Sequence, residues 1–296
     1  MVRIDLHTHS SRSDGTSPPA EVVAHAVGAG LDVIALTDHD TAEGWGEAAA
    51  AADELGITFV PGMEVSCRLG SRGVHLLGYL PDPTHPGLAR ELERILEGRD
   101  GRMPQIVAKL QAIGIAIEEA DVHAVSGDAA ASGRPHVADA LVRAGVVEAR
   151  DEAFARFLGP SGPAYVRRYA TPLEDMITLI REAGGVSVLA HPWGRGSRSA
   201  LDADTIARLT DHGLTGLEVD HQDHDADDRE RLRAIATDLD LVVTGSSDHH
   251  GTGKVDHDLG CNTTAPDQLH RLLEAAAAAA RASGRTVPTL AGPGLD

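Results

Sequence analysis

Aromatic residues make up only 3% of this 296-residue chain, with two Trp, three Tyr and three Phe. Leu, Val, Ile and Ala must therefore fill the core. Cysteine is nearly absent. Cys67 and Cys261 belong to no CxxC pair, which argues against a disulfide framework or a thiolate zinc site and fits a reducing compartment. Positive charge is also scarce: 26 Lys and Arg stand against 45 Asp and Glu, for a net charge of −19. That balance argues against anionic membrane and against stable binding to a nucleic-acid duplex. It leaves a small phosphorylated substrate open, because bound cations can invert the local sign of a site. There is no apolar run of roughly 18 residues and no amino-terminal apolar segment, so a cytoplasmic protein is expected. GxxxxGK[ST], GxGxxG after a strand, and GxSxG are all missing, which disfavours NTP-driven and serine-hydrolase chemistry.

What is present is an alternation of strand and helix. Short apolar runs at 2–6, 32–37, 57–60, 74–80, 186–190, 216–219 and 241–244 read as strands. Helical patterns at 20–29, 45–55, 172–183, 201–212, 229–239 and 267–282 separate most of them. Between 86 and 165 the rhythm changes to helical patterns (88–97, 103–113, 137–144 and 152–158) with almost no strand signal. The expected class is α/β, with a mostly parallel sheet, open or closed into a barrel. The expected division is a barrel from 1–85 and 166–285, a helical insertion at 86–165 and a frayed tail at 286–296.

Sixteen histidines make the chain unusual. His7 and His9 lie two apart on an extended segment, so both rings project to one side and can reach one cation. Asp14 follows, then Thr37-Asp38-His39-Asp40, Gly62-Met63-Glu64-Val65-Ser66 with His75, Ala190-His191-Pro192, and Ser247-Asp248-His249-His250. His7, His9, His39, Glu64, His191, Glu218 and Asp248 each fall at or just past the C-terminal end of an expected strand, where barrel active sites collect. His75 lies near the start of its strand and joins the group only if that strand runs antiparallel. A donor set of imidazoles and carboxylates suits Mn²⁺, Fe²⁺ or Zn²⁺ in a catalytic centre. Clustered divalent ions can generate a bridging hydroxide nucleophile and neutralise phosphate oxygens, which fits in-line attack on a phosphate ester.

These segments, in this order, resemble the PHP family of metal-dependent phosphoesterases, named for polymerase and histidinol phosphatase members. The resemblance spans residues 2 to about 260. It implies a distorted (β/α)7 barrel with the helical insertion as a cap over its mouth. It also implies two to three divalent ions held by nine residues. His7, His9, Glu64 and Asp248 would surround one; Glu64 would bridge to a second on His75 and His191; Asp14, His39 and His250 would hold a third. Asp14, His39 and Asp248 are the catalytic candidates. The insertion, with Gly133-Arg134-Pro135-His136, looks like the subgroup acting on nucleotides and short RNA ends, including nucleoside 3',5'-bisphosphate phosphatases.

Arg134, His136 and Glu218 are the candidate substrate contacts, since an Arg fork matches phosphate geometry. Arg195, Arg198 and Lys254 on Gly-rich loops are further candidates for phosphate. Asp5, Asp38 and Asp40 could orient ligating imidazoles or act as caps and turn residues, and both options stay open. His221 and His224 read as part of a solvated acidic loop, His249 as a non-ligand, and His25, His85, His123, His212, His257 and His270 as surface. The expected activity is phosphohydrolysis of a nucleotide: a nucleoside 3',5'-bisphosphate, a monophosphate or a short RNA 5' end. Histidinol phosphate, a cyclic phosphodiester, or amidohydrolase-type C–N hydrolysis are the alternatives.

Overall fold

Val33–Leu36 and Val186–Leu189 are buried at every position, the pattern of strands covered on both faces. A computed structural model describes residues 2–293, the side chain of Arg195 excepted. The strands are β1 (Ile4–Asp5), β2 (Val33–Leu36), β3 (Thr58–Leu69), β4 (Arg72–Tyr79), β5 (Thr171–Pro172), β6 (Val186–Leu189), β7 (Gly216–Asp220) and β8 (Val242–Gly245). Seven of them form a nearly closed barrel-like sheet in the order β1-β2-β3-β4-β6-β7-β8, and β5 pairs with the far end of β3. All barrel pairings are parallel except those of β4, which runs antiparallel to β3 and β6. That reversal puts His75 opposite Ser66 and brings it to the same end as Glu64. Glu64 is not at a strand end, as expected, but inside a 12-residue β3.

The helices around the sheet are α1 (Pro19–Gly28), α2 (Trp45–Leu55), α3 (Pro86–Asp100), α8 (Leu173–Glu182), α9 (Ala203–His212), α10 (Ala226–Asp238) and α11 (Pro266–Ala282). Between α3 and α8 lie α4 (Met103–Ala112), α5 (Glu119–Ser126), α6 (Arg134–Arg143) and α7 (Arg150–Ala153), with a wider turn of helix at Phe154–Leu158. Met103, Ile106, Leu110, Val137, Leu141 and Leu158 form a core of their own in this segment. Leu88, Leu92 and Ile95 of α3 instead pack with Met176, Ile180 and Leu76 of the barrel, so α3 sides with the sheet rather than with the insertion. Helix α5 was not expected, since only Val122 and Ser126 of its eight residues are buried. Its start is held by the Asp121 carboxylate, which accepts from the Glu118 N–H at 2.9 Å. No helix among the described residues is long and apolar enough to cross a membrane.

β1 and β8 do not pair along their lengths, and the seam between them is closed by other means. The His9 N–H donates to the His249 carbonyl (2.8 Å) and the Thr264 N–H to that of Ile4 (2.9 Å). Fully buried Asp5 accepts from the backbone N–H of Ser247 (3.0 Å) and of Gly260 (2.9 Å). Asp5 is thus a fastener for backbone, neither a helix cap nor a partner of an imidazole. Asp5→Ala would orphan these two N–H groups at about 1–3 kcal/mol each, and would also release the longer bond from the His7 N–H (3.4 Å). We expect urea denaturation to show a loss of about 2–4 kcal/mol, with Asp5→Asn, which keeps one acceptor, losing about half as much. A change below about 0.5 kcal/mol in Asp5→Ala would show that the seam does not depend on this carboxylate.

Candidate metal centre

The polar side chains at the mouth of the barrel converge on one buried cluster. The Nε2 atoms of His7 and His9 lie 3.0 Å apart, both within 3.4 Å of Glu64 Oε2 and of Asp248 Oδ1. Glu64 Oε1 faces His75 Nδ1 at 2.7 Å and His191 Nε2 at 3.1 Å. Asp14 faces His250 Nε2 (3.3 Å), His39 Nε2 (3.6 Å) and His9 Nδ1 (3.6 Å). All nine expected ligands are therefore brought together, in overlapping groups: His9 sits with Asp14, His39 and His250, and His39 also lies with Glu64 and His75. The backbone is held in unusual shape to do this, with His191 at φ 29° and Asp248 at φ 54°. Such positive angles in non-glycine residues are costly and collect at functional sites.

Electrostatics show what the cluster requires. Asp14, Glu64 and Asp248 are 4%, 1% and 1% exposed, and burial alone would push each carboxyl up. Neighbouring imidazoles, with Lys254 beside Asp248, instead hold all three well below the usual carboxylate range. The imidazoles do not share one state. Burial disfavours the charge on His9, but hydrogen bonds to Asp248 and Glu64 outweigh it and raise the ring to about 9. Burial, with Arg99 and His9 nearby, drops His39 to about 3. Burial and His9 drop His250 to about 4. Three desolvated carboxylates, with His39 and His250 kept neutral among them, call for more positive charge than the side chains supply, and the donors are nitrogen and oxygen only. The residues present fit divalent ions of the Mn, Fe or Zn kind.

Other carboxylates build the frame. Glu218, expected to touch substrate, is fully buried beneath the centre. Its Oε1 accepts from His7 Nδ1 (3.0 Å) and Ser246 Oγ, and its Oε2 accepts from the His191 N–H (2.8 Å). With Glu218 accepting the hydrogen bond from Nδ1, His7 would offer Nε2 to a bound ion. Asp38 accepts from the Ser10 N–H (2.8 Å) and the Ser13 hydroxyl (2.6 Å), and Asp40 from the Ser66 N–H (2.6 Å) and Arg99 Nε (2.7 Å). Both shape loops, so neither orients an imidazole by a hydrogen bond.

His221, His224 and His257 also differ from expectation, at 0%, 3% and 8% exposed. His221 Nδ1 accepts from the Asp223 N–H, so Nε2 donates to Asp248 Oδ2 at 3.2 Å. His257 donates from Nδ1 to the Ser247 carbonyl (2.6 Å) and closes a group with His221 and Asp248. The acidic composition of 220–228 hid His221, because Asp220, Asp225 and Asp228 point into ion pairs and a helix cap while the rings turn inward. Lys254 Nζ donates to Asp248 Oδ2, placing that cation at the centre. Arg198 lies away, paired with Asp228 and stacked on Trp193. The side chain of Arg195 lies outside the described residues.

A second charged group borders the first. Arg99 and Arg102, around the end of α3, gather with Arg134 of α6 and Arg168 before β5, close enough that their charges act on Arg102 and Arg168. Arg99 donates Nε to Asp40 and Nη2 to Ser66 Oγ (3.0 Å), two positions along β3 from Glu64. Arg134 donates to the Leu158 carbonyl (3.1 Å) and lies over the Phe154 and Tyr165 rings. Arg102 is 6% exposed and its Nε is buried with no partner. Burial and the three other guanidiniums lower it to about 8, and burial with Arg99 lowers Arg168 to about 10. No periodicity ties Arg99 and Arg102 to Arg168, 66 residues on, which is why the sequence did not reveal the group. His136, expected to touch substrate, is 4% exposed with its ring committed to the Gly133 N–H (2.9 Å) and the Ser13 backbone.

Residues 5–115 match the PHP domain family. The 3',5'-nucleoside bisphosphate phosphatase of Chromobacterium violaceum is 37% identical over 260 residues, covering 88% of this chain and 91% of that protein. A 5'-3' exoribonuclease of Haemophilus influenzae is 34% identical over 248 residues, covering 84% of this chain and 90% of that protein. A crystal structure from Bifidobacterium adolescentis, described as a metal-dependent phosphoesterase, superposes with a TM-score of 0.87 at 35% identity, covering 92% of this chain and 96% of its own. With its ordered histidine and carboxylate segments, its barrel and relatives matched over nearly their full lengths, the chain belongs to the PHP family and is a metal-dependent phosphoesterase.

Proposed function

We propose that the chain is a phosphohydrolase acting on a nucleotide that carries a second phosphate, with nucleoside 3',5'-bisphosphates as the preferred class. The observation that carries this reading is the arginine group beside the candidate metal centre, and above all Arg102, a buried guanidinium among three others with an unpartnered Nε. Repelling cations of this kind are relieved by an anion with several acceptor oxygens, and a guanidinium fork suits phosphate. Arg99 is hydrogen-bonded to Ser66, which lies two strand positions, roughly 7 Å, from Glu64 along β3. A substrate bridging both places needs two anionic groups separated by about a sugar ring. The names of the two relatives, a bisphosphate phosphatase and an exoribonuclease, support the same class. Such a substrate also answers the acidic composition, since recognition is confined to two local sites rather than spread over the surface.

On this reading His7, His9, Glu64, His75, His191 and Asp248 hold two ions, and Asp14, His39 and His250 a third. Such ions, when bound, supply an acidified water at neutral pH and Lewis acidity toward phosphoryl oxygens. Glu218 and the backbone around His191 fix the rings, and Arg99, Arg102, Arg134 and Arg168 receive the phosphate that is not cleaved.

Purified protein should carry two to three equivalents of Mn, Fe or Zn by elemental analysis, and activity should disappear on exhaustive chelation. Activity that survives complete metal removal would end the metal reading. A substrate panel should show kcat/KM about 10–100-fold higher for nucleoside 3',5'-bisphosphates than for matched monophosphates, the range expected for charged hydrogen bonds to one phosphate. Arg102→Met should abolish most of that preference while leaving a small aryl phosphate nearly unaffected. The same substitution should stabilise the ligand-free protein by on the order of 1 kcal/mol in a thermal melt, because it removes a buried, unpaired cation. Equal losses on nucleotide and aryl phosphate would show that Arg102 does not bind the second phosphate.

A further inference from the structure

The loop that carries Asp14 is gripped by the helical insertion at three consecutive residues. The Arg12 carbonyl accepts from the Ala130 N–H at 2.9 Å. The Ser13 backbone is hydrogen-bonded by His136. The Asp14 carbonyl accepts from Arg150 Nη1 at 3.0 Å. Arg150 opens α7, its side chain is 12% exposed, and its remaining donors engage Asp139 of α6 in a fork, at 2.5 and 2.6 Å. Asp139 thereby fixes the plane of the guanidinium and aims its free edge at residue 14. The loop after β8 closes the other side. Gly253 lies so near Arg150 that a Cβ there would collide with the guanidinium. Thr16 joins the same junction, its N–H donating to the His250 carbonyl (3.2 Å) and its hydroxyl accepting from the Thr252 N–H (3.0 Å). One cation from the insertion therefore sits where the Asp14 loop and the His250 loop meet.

We propose that Arg150 is a positioning residue for the group formed by His9, Asp14, His39 and His250, so that part of the metal centre is assembled by the insertion. This rests on the metal-centre reading above. Arg150 touches none of the ligating atoms; it holds the Asp14 backbone, and through Thr16 that backbone is tied to His250. Because the linkage is reciprocal, occupancy of this group and seating of the insertion are one coupled equilibrium. The rest of the centre, built on β3, β4, β6 and the His7 position, makes no hydrogen bond with Arg150 among the described residues.

The test is metal binding, with no substrate present. Wild type, Arg150→Ala, Arg150→Lys and Asp139→Ala are loaded with Mn²⁺, freed of excess and assayed by elemental analysis, with Mn²⁺ titration in parallel. Arg150→Ala should bind one equivalent about 10–100-fold more weakly than wild type, the usual effect of losing an outer partner of a metal ligand. The other equivalents should be unchanged. Arg150→Lys, which can still donate to the Asp14 carbonyl, should recover most of the loss. If Arg150→Ala does not fold, Asp139→Ala, which keeps Arg150 but frees its plane, should weaken the same single equivalent. A wild-type complement bound with wild-type affinity in the folded variant overturns the positioning role and leaves the metal centre intact. A wild-type protein that binds no ion overturns the metal-centre reading, and this proposal with it.

Discussion

Three carboxylates removed from water and pointed at one another would drive a fold apart unless something positive is held between them. Asp14, Glu64 and Asp248 are in that position, and much of the barrel's upper end is organised around it. Six imidazoles and Lys254 are the nearest sources of charge, but all the imidazoles except His75 are buried too, and burial strips the proton from His39 and His250 even as it is retained on His9. The surrounding backbone must therefore keep repelling groups close without help from solvent. Asp5, Asp38, Asp40 and Glu218 do this by accepting backbone N–H, hydroxyl, ring and guanidinium hydrogens from β3, α3 and the loops after β1, β6 and β8. The acidic residues at the strand ends thus divide into those that face the cluster and those that hold its walls.

That division is where sequence reasoning reached its limit. The two-residue spacing of His7 and His9 and the strand alternation of the barrel were legible, because periodicity in a strand fixes the side on which a residue falls. The antiparallel β4 was legible as a condition, since only that direction brings His75 to Glu64. Glu218 was misread because its place at the end of β7 matches that of the ligands. Sequence position gives the height of a residue in a barrel but not whether its carboxylate points up to solvent or under a neighbouring ring. His257 and His221 were lost for a related reason: composition describes what a loop shows to water, and these rings turn the other way. Helix α5 escaped because its stability comes from a reciprocal cap at Glu118 and Asp121 rather than from an apolar stripe.

The arginine group poses the opposite electrostatic problem a short distance away. Where the candidate metal centre has too little positive charge, Arg99, Arg102, Arg134 and Arg168 have too much, and Arg99 stands at the border with its guanidinium on Asp40 and Ser66. Arg99 also helps to keep His39 neutral. The two imbalances are coupled across one strand, so filling either changes the field in the other. On the proposed reading, cations answer the first and the second phosphate of the substrate answers the other. Neither could be met by simply pairing the two clusters, because direct salt bridges would leave no free donor for phosphate and no open coordination for ions.

The insertion takes part in both problems, which separates it from a passive lid. Arg134 and Arg102 come from its helices or their edge, and Arg150, His136 and the Ala130 N–H hold the loop of Asp14. On the proposed reading, substrate contacts and part of the cation cluster therefore share one support with its own apolar core, from Met103 to Leu158. A support of this kind can alter what is recognised by exchanging side chains on its surface, but it cannot tilt freely, since any tilt also moves residues 12–14. Sites placed on rigid elements keep tighter geometry than sites on free loops. Variation in the recognised ester is then expected at side chains facing the arginine group, while the Arg150–Asp139 fork and the close approach of Gly253 must remain for Asp14 to stay where the cluster needs it.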